Sequence, residues 1–294
     1  MFFLSNLVNG ISLGSIYAII ALGYTMVYGI AKMLNFAHGD VIMVGAYIAF
    51  CGLQYWGLPP TAALLVSMLV CTVLGITIEG LAYRPLRQAT SLAVLITAIG
   101  MSYLLQNLAL LIWGPNPKAF PSTMIQIPTL SLFGDQLKIS GPTMVTILAN
   151  IVIMVVLTLF INRTKMGKAM RCVSEDRGAA ELMGINVNRT ISLTFAIGSA
   201  LAAVAGILLC SAYPTLMPTT GAMPGIKAFT AAVFGGIGSI PGAMIGGILL
   251  GVIEILGKAY ISTELGDAIV FAVLIIVLLF RPTGLLGKPI REKV

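Results

Sequence analysis

The stretch TMVTILANIVIMVVLTLFI, residues 143–161, decides the fold class because it is a continuous apolar run without a charged residue. As an α-helix, with a rise of about 1.5 Å per residue, it matches a hydrocarbon core about 30 Å thick. The strands of a membrane β-barrel would instead alternate polar and apolar residues over about ten positions. The run therefore predicts a membrane-spanning α-helix.

The composition extends this prediction to the whole chain. Of 294 residues, 58% are hydrophobic and only 9% are charged, and the mean hydropathy is +1.01. A soluble domain carries about 25% charged residues. We therefore predict an all-α polytopic membrane protein, a single transmembrane domain over residues 1–294.

Glycine, proline and charged residues divide the chain into predicted spans. Eight full spans are expected near residues 6–32, 40–56, 60–83, 91–113, 142–162, 190–212, 242–257 and 266–280. A further apolar piece, residues 225–236, would form only about 20 Å of helix, too short to cross unaided. The N-terminal MFFLSNLVNG lacks the basic region of a signal peptide, so we expect the first helix to be retained. The four cysteines show no CxxC spacing, and no disulfide or metal site is predicted.

The basic residues are distributed unevenly between the two sets of loops. If the N-terminus is outside and every apolar piece crosses, 13 of the 17 basic residues lie inside. The outer side keeps only Lys118, Lys138, Lys227 and Lys258. Because positive residues concentrate in cytoplasmic loops, we predict an outside N-terminus and a cytoplasmic C-terminus. The net charge of +7 therefore reports topology, and no nucleic-acid partner is expected.

A weak internal repeat links two parts of the chain. One unit is LNFAHGD (34–40), two spans and AYRPL (82–86); the other is GGIGSIPG (235–242), two spans and LFRPTG (279–284). The alternative is chance similarity, because helices often stop at proline. Interrupted helices at corresponding positions of two halves form the solute sites of many transporters.

The segment 163–189 is the longest predicted cytoplasmic loop. We predict one helix in it, with Ser174 as its cap, Glu175 and Asp176 in its first turn and Gly184 at its end. Its side chains Ala179, Ala180, Leu182 and Met183 would have little to bury against if the loop were only a connector. The loop therefore predicts a docking partner.

Several motifs resemble a known family. Gly178, Ala179, Ala180 and, after three residues, Gly184 resemble the EAA loop of ABC importer permeases, although Gly178 stands where that motif usually has glutamate and its later Leu-Pro element is missing. The wider set resembles the LIV-type branched-chain amino acid permease family: LVNGISLGSIYAIIALGYTMVYG (7–29), LNFAHGD, GAYIAF (45–50), AYRPLR (82–87), GGIGSIPGAMIGGILLGVIE (235–254) and RPTGLLG (281–287).

This resemblance implies the permease subunit of an importer in the bacterial inner membrane. The expected partners are a second related permease, two ABC ATPase subunits, an external solute-binding protein and membrane lipid. ATP would be bound by the partners, so no cofactor is expected in this chain. Residues 163–189 become the ATPase-coupling loop, with coupling residues Ser174, Glu175, Asp176, Gly178, Ala179, Ala180, Leu182, Met183 and Gly184. A urea or short-amide permease is the alternative, because that sister group has a similar NxAHG block.

Two helix breaks are candidates for the translocation path. Asn35, His38 and Asp40 place an amide, the only histidine and an acid at the first break. They could serve a solute path, a proton relay or a gate, or Asn35 and His38 could only cap backbone ends while Asp40 starts the next helix. At the second break, Gly235, Gly236 and Ser239 could expose polar backbone groups to the path. The GxxxG pairs that follow favour close helix packing.

Two acids and several absent motifs complete the expectations. Glu79 is expected in a local ion pair near Arg84, whereas Glu254 lies deep in an apolar helix, where it has either a functional role or a partner from a second subunit. No GxxxxGK[ST], HExxH or GxSxG motif occurs, so neither an ATPase nor a membrane enzyme is predicted and no catalytic or metal residue is named. A proton-coupled transporter or channel using His38, Asp40 or Glu254 is the competing class; the docking loop argues against it.

Overall fold

The computed structural model describes residues 2–132 and 137–287. Within them the chain forms eleven α-helices: α1 (Phe2–Ala31), α2 (His38–Gln54), α3 (Pro60–Ile78), α4 (Ser91–Trp113), α5 (Gly141–Arg163), α6 (Lys165–Glu175), α7 (Arg177–Leu182), α8 (Val187–Ala212), α9 (Ala222–Gly235), α10 (Ile240–Tyr260) and α11 (Gly266–Phe280). A π-turn (Glu79–Tyr83) and a 3-10 turn (Arg84–Leu86) extend α3. Two antiparallel strand pairs lie in the loops, β1 (Lys118–Ala119) with β4 (Thr215–Leu216) and β2 (Leu130–Leu132) with β3 (Leu137–Ile139).

The all-α polytopic fold is confirmed, because a helix lies at each of the nine predicted apolar segments. In the described residues six helices are long and apolar enough to cross a membrane: Phe2–Ala31, Pro60–Leu86, Ser91–Trp113, Gly141–Arg163, Val187–Ala212 and Ile240–Tyr260. The helices α2, α9 and α11 are shorter, with 17, 14 and 15 residues. The number of full crossings therefore stays a prediction.

The loops gather at two opposite faces of the bundle. On one face β1 pairs with β4, and Phe2 meets Tyr260 with ring centroids 5.9 Å apart. On the other face Arg87 bonds Asn188, and Arg177 bonds the last residue of α1. The helix α1 begins at the first face, and the chain up to residue 287 ends at the second.

Helix α1 is the centre of the bundle, and α4 and α5 form its margin. In the most apolar window of α1, 94% of the residues are buried, against 17% in those of α4 and α5. The side chains of α4 and α5 are apolar but exposed, as expected of helices that face lipid.

Glycines of α10 set how closely its neighbours pack. A Cβ on Gly251 would collide with the backbone of Gly14 in α1, and one on Gly246 would collide with the backbone of Ala231 in α9. The two GxxxG pairs thus serve two partners, Gly247 and Gly251 toward α1 and Gly242 and Gly246 toward α9. The predicted close packing is confirmed.

Candidate coupling loop and helix interruptions

The predicted coupling segment forms two helices instead of one. Helix α6 ends at Glu175, and Asp176 adopts an extended conformation with φ −154°. The Asp176 carboxylate accepts the amide of Ala179 at 3.0 Å and caps α7, whereas the Ser174 hydroxyl donates to the Arg171 carbonyl at 2.7 Å. The prediction of Ser174 as cap of a single helix is wrong, because Ser174 lies inside α6 and the chain breaks at Asp176, which caps α7.

Only part of the segment is available to a partner. Leu182 and Met183, at the end of α7, are 91% and 82% exposed, so their apolar side chains are open to a partner. Ala180 is 2% exposed and packs in the core of the described chain, so its side chain offers no surface to a partner and its role in coupling stays a prediction. Gly178 and Ala179 are exposed, as are Glu175 and Asp176. Gly184 ends the segment with φ +79°, as predicted for a left-handed helix end.

Arg177 fixes α7 to the membrane bundle. Its guanidinium donates to the carbonyl of Ala31, the last residue of α1. A cation suits this helix end, where carbonyl groups lack intrahelical partners. Burial, and then the charge of Arg87, lowers the pKa of Arg177. The coupling segment is thus bonded directly to the helix that precedes the first interruption.

The first interruption spans residues 32–37, between α1 and α2. Lys32 turns the chain with φ +54°, and the amide of His38 donates to the carbonyl of Asn35 at 3.1 Å. The Asn35 side chain is buried and accepts the Tyr83 hydroxyl at 2.9 Å. The N-cap residue of α2 is Ala37, which makes no side-chain bond, and the side-chain oxygen of Asn35 is occupied by Tyr83. The alternative that Asn35 and His38 cap backbone ends stays a prediction.

His38 and Asp40 are both buried in the first turn of α2. The His38 ring meets Tyr24 edge to face at 4.7 Å and packs over Gly23, eight residues before the end of α1 and so about 12 Å along it. Asp40 starts α2 as predicted, and its carboxylate accepts Gln106 of α4 at 2.9 Å. The three polar residues of this interruption thus contact three different helices.

The second interruption spans residues 236–239, between α9 and α10. Gly236 has φ +105°, a conformation that favours glycine, and Gly235 and Gly236 are buried. The carbonyl of Phe234 accepts the amide of Leu285 at 2.9 Å, and that of Gly235 accepts Leu286 at 3.0 Å. Ser239 caps α10 by accepting the amide of Gly242 at 3.2 Å. The RPTGLLG segment therefore satisfies the backbone carbonyls that the break releases.

The N-termini of α2 and α9 meet inside the bundle. A Cβ on Gly221 would collide with the carbonyl of Gly39, and the rings of Phe36 and Phe229 lie 5.3 Å apart. The second interruption instead approaches the end of α1, since a Cβ on Gly29 would lie 3.3 Å from the Cα of Gly238. Within the described residues no hydrogen bond joins the two sets of candidate path residues.

An ion cluster joins the four helices α1, α9, α10 and α11. Glu254 of α10 accepts Lys227 at 2.8 Å, Lys258 at 2.5 Å and the Tyr17 hydroxyl at 2.9 Å. Lys227 also pairs with Asp267 of α11 at 2.6 Å. Sequence reasoning named Glu254 without its partners; the spacing of four residues to Lys258 was the available signal. The partners of Glu254 lie in this chain.

A second polar cluster lies on the opposite face. Glu79, the first residue of the π-turn, pairs with Arg87 and not with Arg84 as expected. Glu79 also accepts the Ser192 hydroxyl of α8 at 2.6 Å. These bonds hold the end of α3 against the start of α8.

Comparisons with known proteins agree with this architecture. Residues 6–278 match the family model described as "Branched-chain amino acid transport system / permease component". The chain is 48% identical to the high-affinity branched-chain amino acid transport system permease protein BraD of Pseudomonas aeruginosa, over 99% of this chain and 98% of that protein. It is 47% identical to the high-affinity branched-chain amino acid transport system permease protein LivH of Escherichia coli K12, over 100% of this chain and 98% of that protein.

One solved structure is similar in fold. PsaBC from Streptococcus pneumoniae in complex with Fab covers 96% of this chain and 93% of its own, with a TM-score of 0.50 and 14% sequence identity.

Proposed function

The chain belongs to the family of permease components of branched-chain amino acid transport systems, and from this premise we propose that it carries branched-chain and other hydrophobic amino acids across the bacterial inner membrane. The observation that supports the substrate is the full-length similarity to permeases named for branched-chain amino acids. The chain itself carries out no covalent chemistry; it provides the path.

The proposed partners follow from this type of importer. A second related permease completes the membrane core, two ABC ATPase subunits bind and hydrolyse ATP, and an external solute-binding protein delivers the amino acid. No cofactor belongs to this chain. The proposed orientation has the N-terminus outside and the coupling loop, residues 163–189, in the cytoplasm. Its support is the excess of basic residues on the face that carries α6 and α7.

We assign ATPase coupling to the end of α7. Leu182 and Met183 supply exposed apolar contact area, and Asp176 and Gly184 fix the two ends of the short helix. The bond from Arg177 to Ala31 connects this helix to α1. A movement imposed on α7 by an ATPase therefore reaches the end of α1, where the first interruption begins.

The translocation path is assigned to the junction of α2 and α9. Both helices begin inside the bundle, so the positive ends of their dipoles lie close together. Helix starts of this kind suit the carboxylate of an amino acid, as in transporters with discontinuous helices. Asn35, His38 and Asp40 border the junction on the α2 side. Gly235, Gly236 and Ser239 act at the other end of α9, where they allow it to shift relative to α10.

Uptake of radiolabelled leucine tests the transport function. Cells lacking this gene should lose high-affinity uptake, and a plasmid copy should restore it together with the ATPase and binding-protein genes. A protonophore should leave uptake intact while cellular ATP is maintained. Loss of uptake under the protonophore, at unchanged ATP, would support the proton-coupled class instead. Displacement of leucine by excess urea would support the short-amide alternative.

Cysteine accessibility tests the orientation. In a variant without native cysteines, Asn116→Cys should react with a membrane-impermeant maleimide added to intact cells, whereas Lys168→Cys should react only after lysis. Both positions are exposed in the structure. Labelling of position 168 in intact cells would invert the proposed topology.

A further inference from the structure

A groove with a basic rim lies between the end of α3 and the start of α8. It consists of two adjoining cavities of about 460 and 250 Å³, which share Asn186 and Arg189. Neither the docking residues Leu182 and Met183 nor the candidate path residues line it. Lys165, Asn186 and Arg189 belong to the loop 163–189, but none of the residues assigned to coupling or to translocation lines the groove.

Three cations surround the groove without an acidic partner among the described residues. Arg84 and Arg189 line the larger cavity, and Lys165 and Arg189 line the smaller one. All three are exposed, and no ion pair in residues 2–132 and 137–287 involves them. Glu79, at the end of α3, is already bonded to Arg87 and Ser192. The groove therefore carries uncompensated positive charge.

The start of α8 adds to this field. Asn186 caps the helix, its first turn contains no acidic residue, and the positive end of its dipole lies at the groove. Planar guanidinium groups bind phosphate oxygens through paired hydrogen bonds. An anion with phosphate chemistry fits these donors.

The other part of the lining is apolar. Ile76 is 43% exposed and lies along the groove with Leu193 and Ala196, on the membrane side of Arg84 and Arg189 in their helices. A free phosphate would leave this surface uncovered, whereas an acyl chain would cover it. Basic pockets between transmembrane helices at the cytoplasmic boundary are sites where anionic lipid headgroups bind.

We infer that this groove binds an anionic phospholipid, with the headgroup phosphate on Arg84 and Arg189 and an acyl chain along Ile76. Lys165 extends the positive rim toward α6. Such a lipid would connect the end of α3, the start of α8 and α6, and so stabilise the base of the coupling loop. The inference does not depend on which solute is transported.

Lipid titration of the purified transporter, with the subunits that accompany it, tests the inference. In neutral detergent, dioleoylphosphatidylglycerol should raise the melting temperature and dioleoylphosphatidylcholine should not. The Arg84→Gln/Arg189→Gln variant should need about 30-fold more phosphatidylglycerol for the same shift, since each basic residue contributes about fivefold. Native mass spectrometry should show the corresponding loss of bound lipid.

The control is Lys168→Gln/Arg171→Gln, which removes the same charge from exposed positions of α6 outside the groove. The phosphatidylglycerol concentration that this control needs for the same shift in melting temperature should stay within about threefold of the parent's. An equal response of the two variants would overturn the proposal, as would stabilisation by glycerol 3-phosphate alone. If the glutamine variant fails to purify, the Arg84→Lys/Arg189→Lys variant is tested in its place. It keeps the charge and should still be stabilised more by phosphatidylglycerol than by phosphatidylcholine. Equal stabilisation by the two lipids would contradict the assignment.

Discussion

The two helix interruptions are closed by different means. At residues 32–37 and in the first turn of α2, side chains make the decisive contacts, because Asn35 bonds Tyr83 and Asp40 bonds Gln106. At residues 236–239 the decisive contacts are made by the backbone, because amides of the RPTGLLG segment donate to the carbonyl groups that the break releases. The Asn35 and Asp40 oxygens and the carbonyls of Phe234 and Gly235 thus have partners that lipid cannot supply, whereas Nε2 of His38 is buried without a hydrogen-bond partner. The first interruption should therefore respond to side-chain chemistry, and the second to side-chain volume.

The largest expected effect is that of Gly236→Leu at the second interruption. A side chain there would require a left-handed conformation and would collide with the backbone of Gly287. The two penalties together come to roughly 2–5 kcal/mol, so we expect little folded protein after detergent extraction. Gly100→Leu is the matched control, because nothing lies within 4 Å of that position in the exposed face of α4. Equal melting temperatures for the two variants would show that volume is not what closes this break.

A smaller effect is expected from Tyr83→Phe at the first interruption. The change keeps the ring and leaves the buried Asn35 oxygen without its donor, which costs about 1–3 kcal/mol. The thermal unfolding midpoint should fall, while Tyr103→Phe, on an exposed tyrosine, should leave it unchanged. A midpoint unaffected by Tyr83→Phe would mean that this side-chain bond does not stabilise the break.

The smallest effect is expected from Ser239→Ala, which removes the cap of α10 at a cost of about 1 kcal/mol. In the double variant with Tyr83→Phe, the two losses in the free energy of unfolding should add to within about 0.5 kcal/mol, because no hydrogen bond joins the two interruptions in the described residues. Chemical denaturation of the single and double variants measures this coupling. A larger deviation from additivity would mean that the interruptions act as one unit.

The helices could be predicted from the sequence because apolar runs and proline or glycine stops determine their positions. The contacts of the interruptions could not, since Tyr83 and Gln106 lie 48 and 66 residues from their partners. In the coupling loop, Ser174 and Asp176 are both good caps at neighbouring positions, and only packing selects Asp176. Burial of Ala180 likewise depends on the bundle that α7 contacts.

The central claim, that the end of α7 couples this permease to its ATPases, is tested most directly by co-purification. The variant Leu182→Asp/Met183→Asp places charge on two residues that make no use of their apolar surface in this chain, so the permease should insert and fold normally. Recovery of the ATPase subunits should fall more than tenfold, as for the loss of interface hot spots. The control variant Ile261→Asp/Leu265→Asp changes exposed apolar residues on the opposite face and should retain the ATPase subunits. Undiminished recovery of the ATPase subunits with the α7 variant, together with normal leucine uptake, would contradict the account.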